Sequence, residues 1–132
     1  MKYFTIDELT RSHKAKKLGI HNVPNDEELR NLHELIEYIL DPLREAYGYP
    51  IIINSGFRCK ELNRKIGGVP TSSHLSGRSA DITTLSKENN KKLFKLAQEL
   101  ELPFFELIDE RDYTWIHISY NPSKEPRIRH LK

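Results

Sequence analysis

Two residues in one short run of this sequence have the types and spacing of metal ligands. His74 and Asp81 lie in the run Ser-Ser-His-Leu-Ser-Gly-Arg-Ser-Ala-Asp, and six residues separate them. A glycine, a serine and an alanine in that interval are small enough to let a loop turn back into a strand that begins Ala-Asp-Ile-Thr. This arrangement predicts that both side chains point at one centre.

A third ligand has to come from elsewhere in the chain. The candidate is His117 in Trp-Ile-His-Ile-Ser, whose apolar alternation is typical of a half-buried strand. Ile116 and Ile118 would share one face, and Trp115, His117 and Ser119 would share the other. Two histidines and one carboxylate suit catalytic zinc, because a fourth position stays open for water.

The composition indicates a globular protein with no preference for nucleic acid. Of its 132 residues, 37% are apolar and 30% are charged, and the 21 basic and 19 acidic residues leave a formal net charge of +2. This length suits one ordinary domain, so we expect a single domain over residues 1–132. A single cysteine, Cys59, cannot form an intramolecular disulfide, so the fold does not depend on an oxidising compartment.

The beginning of the sequence predicts neither a signal peptide nor a membrane anchor. Acidic residues stand where a signal peptide needs an apolar run, and no stretch approaches the roughly 20 apolar residues of a membrane span. We therefore expect cytoplasmic synthesis, with any action outside the cell after lysis or assisted export.

Helix-capping signals predict the helices in the first half of the chain. Thr5 and Glu8 form a capping box, which predicts a helix that begins at Ile6 and ends before Gly19. Asn25 is the predicted cap of a long helix, in which Pro42 predicts a kink or break near Asp41. The apolar positions of this long helix are Leu29, Leu32, Ile36, Ile39, Leu40, Leu43 and Ala46, and Gly48 ends it.

The second half of the chain alternates short strands and helices. We predict a buried strand at Ile51–Ile53, a short helix over residues 60–66, a strand through Ile82 and a helix capped by Ser86. The core-facing residues of that last helix are predicted to be Leu93, Leu96, Ala97 and Leu100. Residues 104–108 and 115–120 predict an antiparallel hairpin, and the tail from residue 121 has little periodicity. The predicted fold is α+β, with helices flanking a small, mainly antiparallel sheet.

The run that contains His74 and Asp81, followed by Trp-Ile-His-Ile-Ser, resembles the zinc peptidases of the D-alanyl-D-alanine carboxypeptidase family, the M15 group, and especially its M15A branch. Residues 55–58, Ser-Gly-Phe-Arg, are similar to the family's Ser-Gly-Tyr-Arg segment, and residues 67–72 are similar to its approach to the first histidine. Residues 4–9 near the start and residues 40–44 also look similar, so the similarity covers nearly the whole chain.

The resemblance implies a hedgehog/DD-peptidase fold and a zinc-dependent hydrolase of peptidoglycan. Members cut stem peptides or cross-links of bacterial peptidoglycan, and many are phage or bacterial enzymes of lysis and wall remodelling, such as endolysins. The resemblance assigns His74, Asp81 and His117 as zinc ligands. Arg58 would bind a substrate carboxylate or carbonyl oxygen and stabilise developing negative charge. Ser72 would support the site by hydrogen bonding.

The general base is left open between two acidic residues. Some relatives carry a glutamate three residues before the last histidine, where this sequence has Thr114. Glu110, on the first arm of the predicted hairpin, corresponds to an acid that the M15A branch often has, and Asp112 is the alternative.

Two other functions are compatible with the sequence. Thr114 in place of an acid favours a zinc-containing binding module without catalysis, as in some hedgehog relatives, and a metal-free structural domain of a phage particle is a third possibility. We expect a monomer. The motifs do not specify which wall bond is cut, because subsite loops determine that choice.

Overall fold

The computed structural model describes residues 1–131 and contains one five-stranded sheet. Its strands are β1 (Ile52–Ser55), β2 (Ser79–Thr83), β3 (Glu106–Glu110), β4 (Trp115–Ser119) and β5 (Arg127–Leu131), in the order β1-β2-β4-β3-β5. Every neighbouring pair is antiparallel except β3 and β5, which are parallel. The predicted α+β class with a mainly antiparallel sheet is confirmed.

Helices flank this sheet. The α-helices are α1 (Ile6–Thr10), α2 (His13–Leu18), α3 (Asp26–Leu35), α4 (Asp41–Tyr47), α5 (Lys60–Lys65) and α6 (Lys87–Glu99). A π-helical turn occupies Ile36–Leu40, and a 3₁₀ turn occupies Ser73–Ser76. Within residues 1–131, none of the helices has the length and apolar character needed to cross a membrane.

The predicted capping box at Thr5 is confirmed, but the predicted extent of the first helix is wrong. Thr5 Oγ1 accepts from the Glu8 backbone N–H at 3.2 Å, and the Glu8 carboxylate accepts from the Thr5 backbone N–H at 3.3 Å. The helix ends at Thr10 instead of continuing toward Gly19. Ser12 adopts an extended backbone and caps a second helix through the Ala15 backbone N–H, so one serine divides the segment in two.

The long helix is capped by Asn25 as predicted, and its interruption takes an unexpected form. The Asn25 side chain accepts from the Glu28 backbone N–H at 2.8 Å. Helical backbone continues past Pro42 to Tyr47, and the π turn lies just before Asp41, whose N–H donates to the Ile36 carbonyl. A wider turn accommodates a proline that lacks a donor and crowds the preceding turn, so no break is needed.

The core lies between this long helix, α6 and one face of the sheet. Its largest fully buried side chains from the long helix are Leu32, Leu35, Ile36, Ile39, Leu40 and Leu43, and those from the strands are Ile82, Leu107, Ile116 and Ile118. On α6, Leu93 and Ala97 are buried as predicted, but Leu100 is 39% exposed and Phe94 is buried instead.

Two predictions about the edges of the sheet are wrong. Ile51 is buried, but β1 itself is an edge strand in which Ile52 is 41% exposed. The tail, for which no element was predicted, forms β5 at the opposite edge. Both edges are therefore built from residues whose side chains are partly solvated.

Candidate metal centre and cleft

The three predicted ligands come from two neighbouring strands and the turn that precedes one of them. Asp81 lies in the middle of β2, and His117 is its Cα partner on β4. His74 lies in the 3₁₀ turn just before β2. All three residues are buried, with exposed fractions of 3% for His74 and 9% for each of the other two.

Their ligand atoms converge on one centre. His117 Nδ1 lies 2.9 Å from Asp81 Oδ1, and His74 Nε2 lies 3.3 Å from the same oxygen. The ligand atoms of the three residues all lie within 4.8 Å of one another. Two atoms bound to one tetrahedral zinc at usual bond lengths are about 3.4 Å apart. The donor set and its spacing therefore fit zinc.

The orientation of His74 is determined by its other ring nitrogen. Nδ1 lies 2.7 Å from the Gly56 carbonyl oxygen, which can only accept, so Nδ1 donates and Nε2 faces Asp81. Gly56 itself is packed so closely that a Cβ there would overlap the backbone carbonyl of Leu9. The segment that orients His74 is thereby held against the end of α1.

Two further contacts position the turn that carries His74. Ser72 Oγ accepts from the His74 backbone N–H at 3.2 Å, and the Arg58 N–H donates to the His74 carbonyl at 3.1 Å. Gly77 ends the turn at φ +76°, and a Cβ at this position would lie 2.5 Å from the Glu28 carbonyl oxygen of α3. Only glycine allows the chain to turn back into β2 at this distance from α3.

Asp81 is stabilised as a carboxylate although it is buried. Burial by itself would raise the Asp81 pKa, but hydrogen bonds from His117 and His74, together with their charges, lower this pKa well below its usual range. A charged carboxylate is the form that binds a metal ion.

The Arg58 guanidinium lies beside the three-residue cluster and is held by three side chains. Nε donates to Ser55 Oγ at 3.0 Å, Nη1 donates to Asn63 Oδ1 at 3.2 Å, and Nη2 lies 3.5 Å from Asp81 Oδ2. Burial lowers the Arg58 pKa, while the charges of Asp81 and Glu110 act in the opposite direction. The group stays protonated, because a guanidinium is not deprotonated in proteins.

Glu110 and Asp112 have different surroundings. Glu110 ends β3, opposite Trp115, and its Oε2 accepts from Trp115 Nε1 at 2.9 Å. Asp112 is exposed in the turn between β3 and β4, where it adopts φ 54°. Thr114 is also exposed, and its hydroxyl donates to the Arg111 carbonyl at 2.6 Å within the same turn.

An open cleft of about 430 Å³ brings the predicted site residues together. Its lining includes Arg58, Ser72, His74, Asp81, Glu110 and His117, and does not include Asp112. Cys59 lies outside the cleft, where it is partly buried and packs against Leu62. The cleft therefore brings the three predicted ligands together with Arg58, Ser72 and Glu110.

Sequence reasoning missed one wall of the cleft. Glu106 on β3 and both Arg127 and Arg129 on β5 line it. Glu106 is buried, and its Oε2 accepts from Arg127 Nε at 2.8 Å and lies 2.6 Å from Arg127 Nη2. The alternation Arg-Ile-Arg-His-Leu was the available sequence signal for β5. Because the segment is rich in basic residues, its sequence is also typical of a solvated tail.

The family model described as Peptidase M15 matches residues 2–119. The match covers most of the chain, which therefore belongs to the Peptidase M15 family, and the family resemblance seen in the sequence is confirmed. A comparison with curated proteins gives no match.

Proposed function

We propose that this member of the Peptidase M15 family is a zinc-dependent peptidase that hydrolyses peptide bonds of bacterial peptidoglycan and forms a single domain over residues 1–132. The observation that carries the proposal is the convergence of His74, Asp81 and His117 at an open cleft that also contains Arg58 and Glu110. A binding site with no reaction to catalyse has less need of a guanidinium and a second carboxylate beside a metal centre.

His74, Asp81 and His117 would hold the zinc ion, through nitrogen and oxygen atoms that already face one another. When bound, zinc supplies Lewis-acid polarisation of the scissile carbonyl and lowers the pKa of water toward neutrality. The bond from His74 Nδ1 to the Gly56 carbonyl keeps Nε2 available as a ligand. Asp81 contributes negative charge that favours a divalent cation.

Arg58 binds substrate and stabilises developing negative charge. Ser55, Asn63 and Asp81 occupy three of its donors, and a guanidinium has five, so donors remain for a substrate oxygen. Because these contacts fix the plane of the group, little reorganisation is needed as the oxyanion develops. Ser72 holds the His74 turn and borders the substrate from the same cleft.

Glu110 is the general base in this proposal. Trp115 binds Oε2, which orients the carboxylate and leaves Oε1 to accept a proton from the attacking water. The same group returns that proton to the leaving amine. Its position in the cleft supports Glu110 over Asp112, which lies outside the cleft lining.

The substrate class follows from the family resemblance and is compatible with the polar, open cleft. Stem peptides and cross-links of peptidoglycan are the proposed substrates, cut either as a terminal D-Ala-D-Ala bond, in the manner of a carboxypeptidase, or as an internal bond, in the manner of an endolysin. The enzyme would act as a monomer on the wall after lysis or assisted export.

Digestion of purified peptidoglycan tests this function. We expect the zinc-loaded protein to release new amine termini, and mass analysis of digested muropeptides to identify the bond. His117→Ala should release none. Binding to the wall without any new termini, by protein shown to contain zinc, would identify a non-catalytic module instead.

A further inference from the structure

Strand β5 contributes a basic wall to the metal cleft. It pairs in parallel with β3, so that Arg127 is the partner of Glu106 and Arg129 is the partner of Ile108. Both arginines line the same cleft as the three-residue metal cluster. This strand follows the region 2–119 that the family model matches.

The two arginines have different electrostatic environments. Arg127 forms an ion pair with the buried carboxylate of Glu106, and its guanidinium lies over the Phe105 ring at 5.3 Å. Arg129 is exposed and stands opposite an isoleucine. Within residues 1–131, its side chain takes part in no ion pair or hydrogen bond. Arg127 therefore has its counter-charge inside the protein, whereas Arg129 presents its positive charge to the cleft.

Each acidic residue that lines the cleft has a hydrogen-bond partner other than Arg129, although Glu110 keeps Oε1 free within the described part of the chain. Asp81 contacts both histidines and Arg58, Glu106 is paired with Arg127, and Glu110 accepts from Trp115. A guanidinium is an efficient receptor for a carboxylate, which it can bind with two parallel hydrogen bonds.

We infer that Arg129 binds a carboxylate of the substrate and makes the enzyme select acidic wall peptides over their amidated forms. This inference rests on the proposed function and concerns substrate binding at the same site. In a wall stem peptide that carboxylate is either the α-carboxylate of the D-isoglutamyl residue or the carboxyl terminus. Both have the same chemistry and would meet the β5 side of the cleft.

Three synthetic stem pentapeptides distinguish the two sources. One carries both carboxylates, the second is amidated at the isoglutamyl position, and the third is amidated at the C-terminus. We expect the wild-type protein to favour the free acid over one of the amides by about five- to ten-fold in kcat/KM, the range for one charge-assisted contact at a partly solvated site. The disfavoured amide identifies the carboxylate that is bound.

Arg129→Gln should remove this preference by raising KM for the free acid, with kcat little changed. Arg129→Lys should retain part of this preference, because lysine keeps the positive charge but cannot form two parallel hydrogen bonds to a carboxylate. Lys124→Gln is the matched control: it removes one positive charge from the same tail outside the metal cleft, and should keep the wild-type preference. Circular dichroism checks that each variant is folded.

A preference unchanged in Arg129→Gln, or an equal loss of activity on all three peptides, would overturn the inference. A shifted pH profile with unchanged KM would also overturn it, since Arg129 would then act on Glu110, which lines the same cleft, and not on the substrate. If no peptide is hydrolysed, the proposed function fails, and this result does not test the inference about Arg129. Calorimetric binding of the same peptides to zinc-loaded protein then decides the role of Arg129, and equal affinities for acid and amide would refute it.

Discussion

Asp81 and His117 lie directly opposite each other on β2 and β4, with Asp81 Oδ1 2.9 Å from His117 Nδ1. A cross-strand pair on one face of an antiparallel sheet is held at close range by the backbone ladder. His74 completes the cluster from the 3₁₀ turn that leads into the same strand. The candidate metal site is therefore built mainly on the sheet, and backbone pairing brings its prospective ligands together.

Replacing His117 with alanine should abolish zinc binding and leave the fold largely intact, because the apolar core lies on the other face of the sheet. Native mass spectrometry measures the bound zinc, and circular dichroism measures the fold. His33→Ala, at an exposed histidine on α3, is the control and should bind zinc normally. Global unfolding of His117→Ala would show that the metal is structural.

Glu110→Gln should keep zinc affinity and the hydrogen bond from Trp115, yet lower kcat by about 10²- to 10⁴-fold through loss of the proton acceptor. The acidic limb of the pH profile should disappear with it. Asp112→Asn is the matched control and should retain normal turnover. The opposite result, with Asp112→Asn inactive and Glu110→Gln active, would assign the base to Asp112.

Arg58→Lys should slow turnover, because an ammonium cannot reproduce the planar contacts with Ser55 and Asn63 and still reach the substrate. The acidic limb of the pH profile should remain, since that limb belongs to the base. Steady-state kinetics across pH measures both effects. Unchanged kcat/KM in this variant would exclude Arg58 from the reaction.

The stability of the metal-free protein should depend on Asp81 at low pH. The pKa of Asp81 is depressed in the folded state below its ordinary value of 3.8, so the unfolded chain binds a proton first as the pH falls. The stabilisation is present above about pH 4 and is lost as the pH falls through the folded-state pKa. Urea denaturation at pH 5 and pH 2.5 should show a smaller loss of unfolding free energy for Asp81→Asn than for wild type. Equal losses would contradict the prediction.

Local features of this protein were readable from the sequence because their causes lie within a few residues. Thr5, Asn25 and Ser86 each cap a helix through a backbone N–H three residues away, and these contacts depend on no other part of the chain. The alternation around His117 likewise predicted its face, with Ile116 and Ile118 in the core. Ser12 carries a cap signal of the same local kind. The prediction of one continuous first helix omitted it.

The composition of the cleft depended on contacts that no local pattern contains. Arg127 meets Glu106, 21 residues earlier in the chain, because β5 adds to the sheet in parallel beside β3. A strand of alternating basic residues has little apolar surface of its own to bury, so its position is decided by backbone pairing and by a buried partner carboxylate. The positions of Glu110 and Asp112 were equally tertiary: Glu110 ends β3 and lines the cleft, whereas Asp112, two residues later, is exposed in the following turn. Residue types along the chain determined the chemistry available to this protein, whereas strand pairing decided which of those residues share one cleft.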